Sequence, residues 1–556
     1  MVLNAGGNVS ITNSVQAIDI VDIDGVNVSI GTLDSDDGDI LATGAVTVGN
    51  IAGTNHAIEG TSVDLTSVAV TGALTANATT GSITSGNISA NTTNLNAVDA
   101  IALTDVTVND SLLADAGGAA SFGTLTGRNI EITAGGDITG TSAISSNATG
   151  GLADRLVLNA GGDVSLTGTA QALDIVNIDG VNVSIGTLDS GDGDILATGA
   201  VTVGNIAGTN HAIQGTSIGL TSVAVTGALI ASATTGSIAS GNISASTANL
   251  NAADAIALTD VTVNGPLLAD AGGSASFGTL TGRDIQITAG GNITGTSAIS
   301  PNATGGLADS VALNAGGNVT LTGTVQALDI VDIDGVNVSI GTMDSDSGNI
   351  LATAAADVGT LLGGTHVIQG TSVNLDNSDI GGNLTASATA GDITGAGNLV
   401  VGGAIDLDAT GAIGFGSATG SSINMDAGGN IAGGDLSATN ALTLNGGNIA
   451  IGDASAANIN FTSASDILFN ALTSPNAIAL TAANGTIGKN GGNGDINSGG
   501  NVDLTAQAFA VGDVTSNGSV NANATAGAAS FGTVNAANDI TISATGTPTL
   551  ANAISG

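Results

Sequence analysis

The sequence predicts an all-β chain wound as a right-handed parallel β-helix, an elongated rod. Three observations predict it: a long internal repeat, apolar residues alternating with period two, and glycine-rich punctuation between short runs. The repeat is the most informative. Leu3-Asn-Ala-Gly-Gly-Asn-Val-Ser-Ile-Thr12 returns as Leu158-Asn-Ala-Gly-Gly-Asp-Val-Ser-Leu-Thr167 and as Leu313-Asn-Ala-Gly-Gly-Asn-Val-Thr-Leu-Thr322, 155 residues apart each time (158 − 3 and 313 − 158). Val21 to Ile30 reappears with one change at Val176 to Ile185 and with none at Val331 to Ile340. A chain that copies itself this way is usually extended, each part touching mainly its neighbours, so units are added or lost without wrecking one shared core.

Composition narrows the architecture further. Only 9% of the 556 residues are charged, against roughly 25% in ordinary soluble domains. There is no Trp, Tyr or Cys, only 7 Phe, and 87 Gly, while hydrophobic residues still make up 42%. Enough aliphatic residue and little charge argue against disorder, and aliphatics without aromatics suit a narrow core. The absence of cysteine excludes a disulfide framework and thiol chemistry. Against 46 acidic residues stand four basic ones, Arg128, Arg155, Arg283 and Lys489, a net charge of −42. That sign repels phosphates and anionic headgroups, so neither nucleic acid binding nor direct membrane insertion is expected. No stretch reaches the roughly 18 apolar residues of a membrane-spanning helix. Met1-Val2-Leu3 aligns with Leu156-Val157-Leu158, so the chain opens in mid-pattern and reads as an internal fragment whose leader and cap lie outside it.

The alternation runs in Asn8-Val9-Ser10-Ile11-Thr12 and again in Asn129–Thr133, Ile405–Asp408, Ser422–Asp426, Asn501–Thr505 and Asp539–Ser543. It predicts Val9, Ile11, Ile130, Ile132, Ile405, Leu407, Ile423, Met425, Val502, Leu504, Ile540 and Ile542 facing inward, with almost no helix. Gly-Gly-Asn/Asp followed by Val or Ile marks the corners, as at Gly6-Gly-Asn-Val9, Gly135-Gly-Asp-Ile138 and Gly446-Gly-Asn-Ile449. Glycine and asparagine tolerate positive φ, which a sharp corner is expected to need. Coils of about 20 residues stacked at roughly 4.8 Å would place about eight coils in each repeat and make a rod of roughly 130 Å.

Four segments follow: repeat unit 1 over 1–157, unit 2 over 158–312, a shortened unit 3 over 313–430, and degenerate coils over 431–556. Unit 3 keeps step through Ile393, which matches Ile238, but Phe415 matches Phe277 at an offset of only 138, so 17 residues have gone (393 − 238 = 155; 155 − 138 = 17). A solenoid that drops about one coil closes up and continues, where a globular core seldom would.

The Gly-Gly-Asn-Ile-x-Ile runs, Leu480-Thr-Ala-Ala-Asn-Gly-Thr-Ile-Gly488 and the aliphatic, glycine-rich coils resemble the repeat shafts of filamentous haemagglutinin-like secreted bacterial adhesins, exoproteins of the two-partner-secretion type. The resemblance covers essentially the whole chain and rests on composition and period. It implies a secreted, extracellular β-helical shaft at the surface of a Gram-negative bacterium, with host or neighbouring-cell receptors or carbohydrates as partners. It implies no catalytic residues.

The sharpest local feature is Asp34-Ser-Asp36-Asp37-Gly-Asp39. Closely spaced carboxylates on a glycine turn are hard oxygen ligands of the kind calcium prefers, which makes Asp34, Asp36, Asp37 and Asp39 a candidate calcium site. A solvated turn competes with it, because the copies erode the set: Gly191 replaces Asp36, and Ser347 and Asn349 replace Asp37 and Asp39. No other cofactor is expected. Asp22-Ile-Asp24-Gly25 and its copies read as a strand running into a corner. His56, His211 and His366 occupy one repeat position, too far apart to share a metal, and are read as turn residues. Several β-helices cleave polysaccharides, but such sites need carboxylates beside Arg, Lys or aromatic rings, and little of that is present, so an enzyme is not expected. The sequence therefore points to a structural or adhesive shaft; the alternative is a self-assembling filament, sheath or surface-layer subunit.

Overall fold

The computed structural model describes residues 1–146, 154–301 and 309–556, and among these every regular element is a β-strand and none is a helix. The described residues form two compact units, Met1–Gly273 and Ser274–Gly556. Each is a parallel β-solenoid. In the first, one column of stacked residues runs Val9, Val28, Val46, Val63, Ile83, Ile101, Ala120, Ile138 and Val164. Eight register steps thus span one 155-residue repeat, as the coil length required. Most steps take 17 to 20 residues; the step from Ile138 to Val164 takes 26 and includes the undescribed residues 147–153. At about 4.8 Å per step, Val9 and Val164 stand roughly 38 Å apart along the stack.

In the second unit the corresponding column runs Ala275, Ile293, Val319, Val338, Ala356, Val373, Ile393, Ile413, Ile431, Ile449, Ile467, Ile487 and Phe509. The long repeat fades after about residue 430, but the column does not, because only the inward alternation is needed to maintain it. The missing 17 residues are one rung. In the first copy Ile83 reaches Ala120 in two steps through Ile101; in the third, Ile393 reaches Ile413 in one.

Each rung has three sides. They are separate strands at Ile393–Thr394, Asn398–Val401 and Ala404–Ala409, and merge into one bent strand at Val28–Ala42. Val28 and Ile30 fill the first side, Leu33 and Ser35 the second, and Gly38, Ile40 and Ala42 the third, all buried. The third side is the longest and turns Asp37, Asp39 and Leu41 outward. Stacked aliphatics fill the narrow interior, each buried Val, Leu or Ile contributing about 1.5–3 kcal/mol. Of the twelve expected inward residues, nine are buried, and Ile11, Ile540 and Ile542 are half-buried.

The corners correct one expectation. Positive φ occurs among the described residues only at Gly53, Gly208, Gly363, Gly491 and Gly494, and none of these begins a Gly-Gly-Asn/Asp corner that runs on into Val or Ile. The corner glycines are needed for close stacking instead: a Cβ on Gly135 would lie 2.2 Å from the Gly117 carbonyl oxygen one rung below. The Asn or Asp that follows has its own task. Its Oδ1 accepts a backbone N–H from the next rung, as Asp137 does from Asp163 at 2.8 Å and Asn430 from Asn448 at 3.0 Å. Asn27, stacked above Asn8 in the same position, accepts from Ala45 at 2.9 Å. The motif thus builds a side-chain ladder that satisfies corner amides the sheets leave unpaired.

Candidate functional site

The acidic segment Asp34–Asp39 folds around the corner between the second and third sides. Ser35 and Gly38 point inward, Asp34 is half-buried on the second side, Asp36 sits at the bend, and Asp37 and Asp39 are exposed on the third. Two of the carboxylates have amide partners on adjacent rungs. Asp34 accepts from Gln16 Nε2 at 2.8 Å and Asp37 from Asn55 Nδ2 at 3.0 Å. The second copy repeats both bonds, Gln171 to Asp189 at 3.0 Å and Asn210 to Asp192 at 2.9 Å. Among the described residues no group of three or more His, Cys, Asp or Glu side chains is placed to hold a metal ion.

Asp22 and Asp24 flank the fully buried Ile23 and face out on the third side. Register sets Asp22 beside Asp39, Asn177 beside Asp194, and Asp332 beside Asn349. Only in the last pair does an amide donate to the carboxylate, Asn349 Nδ2 to Asp332 at 2.9 Å.

The histidines are not turn residues. His56, His211 and His366 lie within strands, and each is at most 3% exposed. Each imidazole occupies an inward position whose neighbour one rung below is glycine: Gly38 under His56, Gly193 under His211, Gly348 under His366. A Cβ on Gly38 would meet His56 Nδ1 at 2.2 Å, so glycine makes the room the ring takes. Nε2 bonds the carbonyl of Ala52, Ala207 or Leu362 at 3.0–3.1 Å, and Nδ1 is buried without a partner. Desolvation by burial pushes all three imidazoles below the ordinary value of 6.5, opposed by that backbone bond and by nearby carboxylates, Asp37, Asp39 and Asp34 in the case of His56.

Arg128 pairs with Asp110 at 3.5 Å. The furrow of about 490 Å³ lined by Ile175, Asn177, Asp192, Asp194, Asn210, His211, Ala212, Ala228 and Ile230 contains no Arg or Lys. Sequence reasoning missed two buried acids, Asp154 and Asp309, each at most 2% exposed. Asp154 Oδ1 accepts the backbone N–H groups of Leu173 and, at 3.0 Å, of Asp174, which lie where the register shifts between Ala172 and Ile175. Asp309 Oδ1 accepts the Leu328 N–H while the Asp329 N–H goes to the Asp309 main-chain carbonyl at 3.2 Å, and burial pushes the Asp309 carboxyl above the usual range, opposed by those two nearby amides. The signal in the sequence was the recurrence of the acid at one repeat position, Leu-Ala-Asp at 152–154 and at 307–309.

Fold and surface together define a parallel β-solenoid with an acidic, amide-laddered exterior. No family model, no curated protein and no solved structure matches the chain.

Proposed function

We propose that this chain is the structural and adhesive shaft of a secreted, cell-surface-associated bacterial exoprotein, giving reach and attachment to surfaces or to other cells. The observation that carries the reading is the third copy, which lacks one whole rung while its column of stacked residues runs on. A protein whose task depended on one crevice would lose it with such a deletion; a spacer changes only its length. Backbone ladders supply stiffness, and outward carboxylates on every repeat oppose edge-to-edge association. We take the chain to be non-catalytic, since four basic residues and no Trp or Tyr leave little with which to hold a sugar against an acid–base pair. The resemblance to haemagglutinin-like shafts supplies the secreted setting and the receptor or carbohydrate partners.

The test is surface display on a non-adherent bacterium, with attachment to epithelial cells and to glass compared for the full chain and for a variant lacking one 155-residue copy. Attachment above the empty display vector, reduced in the shorter variant, is expected. No gain over the empty vector would overturn the proposal, and ordered fibres from the purified chain would favour the filament instead.

A further inference from the structure

The third side of the rungs is not uniformly polar. Ile20 and Leu41, Ile175 and Leu196, and Ile330 and Leu351 stand on it with 38–52% of their surface exposed, the same two positions in every copy. Register joins each pair into one patch. Ile20 stacks on Asp37, Asp22 on Asp39, and Asp24 on Leu41, so the aliphatic side chains hold two diagonal corners of a field of carboxylates. The second copy arranges Ile175 with Asp192, Asn177 with Asp194, and Asp179 with Leu196. The third arranges Ile330 with Ser347, Asp332 with Asn349, and Asp334 with Leu351. Within these paired rungs there is no Lys or Arg; the one cation in register beside a patch is the exposed Arg155, which stacks on Ile175 from the rung below.

Two features are unfavourable for a bare surface, a like-charge pair in the first patch and exposed aliphatics in all three. Like charges directly opposite on adjacent strands destabilise the sheet, and Asp22 lies opposite Asp39 with no amide between them. Aliphatic side chains left about half in water forgo part of the stabilisation that full burial would give. One occupant relieves both: a chain of Lys or Arg residues, whose methylene stems cover apolar surface while their heads meet carboxylates. A second copy of this protein would bring acid against acid. We infer that each patch docks a basic polypeptide segment, with stems on Ile20 and Leu41 and cationic heads between Asp22, Asp37 and Asp39. The first two patches, both in the first unit, repeat at eight rungs or roughly 38 Å, so a partner with two basic segments at that span gains by linkage. This inference does not rest on the shaft reading, because it holds for the isolated chain in solution.

The experiment is calorimetric titration of the purified chain with the synthetic peptide Lys-Leu-Lys-Lys-Leu-Lys at about 0.15 M salt, where long-range attraction is screened. Replacing all six aliphatics by serine (Ile20→Ser, Leu41→Ser, Ile175→Ser, Leu196→Ser, Ile330→Ser, Leu351→Ser) should weaken binding about tenfold or more, as removal of central contacts does. It should leave the unfolding midpoint unchanged, since none of the six is in the core. Asp22→Asn with Asp39→Asn should remove the first patch's share of the binding. Asp64→Asn with Asp357→Asn, the same charge change on the first side, should have little effect. Equal weakening by that control would overturn the inference in favour of general polyanion attraction. Failure of the parent chain to bind, or unchanged binding by the serine variant, would also overturn it. So would a dimer that the serine variant dissolves, which would make a second copy the occupant.

Discussion

At Gly53 the backbone takes φ +130°, and a Cβ there would stand 1.7 Å from the Ser35 carbonyl oxygen and 3.2 Å from His56 Nε2. Conformation and space both demand glycine, so Gly53→Ala should cost well over about 1 kcal/mol in urea unfolding. Gly6→Ala, with nothing within 4 Å, should cost far less. The neighbouring imidazoles give a pH signature. Each is held neutral by burial with its folded value below 6.5, while the unfolded chain takes up the proton near 6.5. Their contribution is therefore complete above 6.5 and lost as the pH falls below it. Replacing all three by leucine, the residue that fills this inward position at Leu74, should abolish that share of the acid-induced drop in the urea midpoint. An identical drop in parent and variant would refute it. None of this is legible in the sequence, because Gly38 is recognised as the space for His56 only once the 18-residue register is known. For the acidic segment, chelation should leave the melting temperature unchanged, since amides of Gln16 and Asn55 already serve Asp34 and Asp37. A fall of several degrees would instead assign calcium to Asp34, Asp36, Asp37 and Asp39.

Among the elements, the strands were the most legible. Alternation in Asn129–Thr133 or Ile405–Asp408 names inward residues directly, because side chains on a strand point to opposite faces in turn. The corners were legible as punctuation but not in mechanism. What forbids a side chain at Gly135 or Gly161 is the carbonyl of the rung below, and a single sequence does not show which residue that is. The corner asparagines carry a test. Asn27 Nδ2 donates to Asn8 at 2.9 Å while its Oδ1 accepts from the Ala45 N–H, so it joins three successive rungs. Asn27→Ala should cost about 0.5–1.5 kcal/mol by equilibrium unfolding, the range for an ordinary hydrogen bond in reach of water, whereas Asn27→Asp should retain the accepted bond and cost less. The buried acids at the register shifts belong to the same scale: Asp309→Ala should raise hydrogen exchange at the Leu328 amide, which loses its acceptor, more than at the Asp329 amide, which keeps the residue 309 main-chain carbonyl.

For the molecule as a whole, a repeat of 155 residues wound in coils of about 20 implies about eight coils, and the register from Val9 to Val164 contains eight steps. The exposed Ile–Leu pairs were not legible because in sequence they look like core; the bend at Asp36 sets the phase of the alternation on the third side, which turns Ile40 in and Leu41 out. Rungs are interchangeable in such a stack because each is held by its neighbours alone. Circular dichroism with thermal unfolding of two deletions puts that interchangeability to the proof. Removing residues 101–119, one full rung, lets Ile83 pair with Ala120, and should leave the β-sheet signal intact with one cooperative transition within a few degrees of the parent. Removing only residues 101–109 throws the inward alternation out of register and should cost a large part of the stability. Equal tolerance of both deletions, or collapse of both, would contradict a stack of exchangeable rungs.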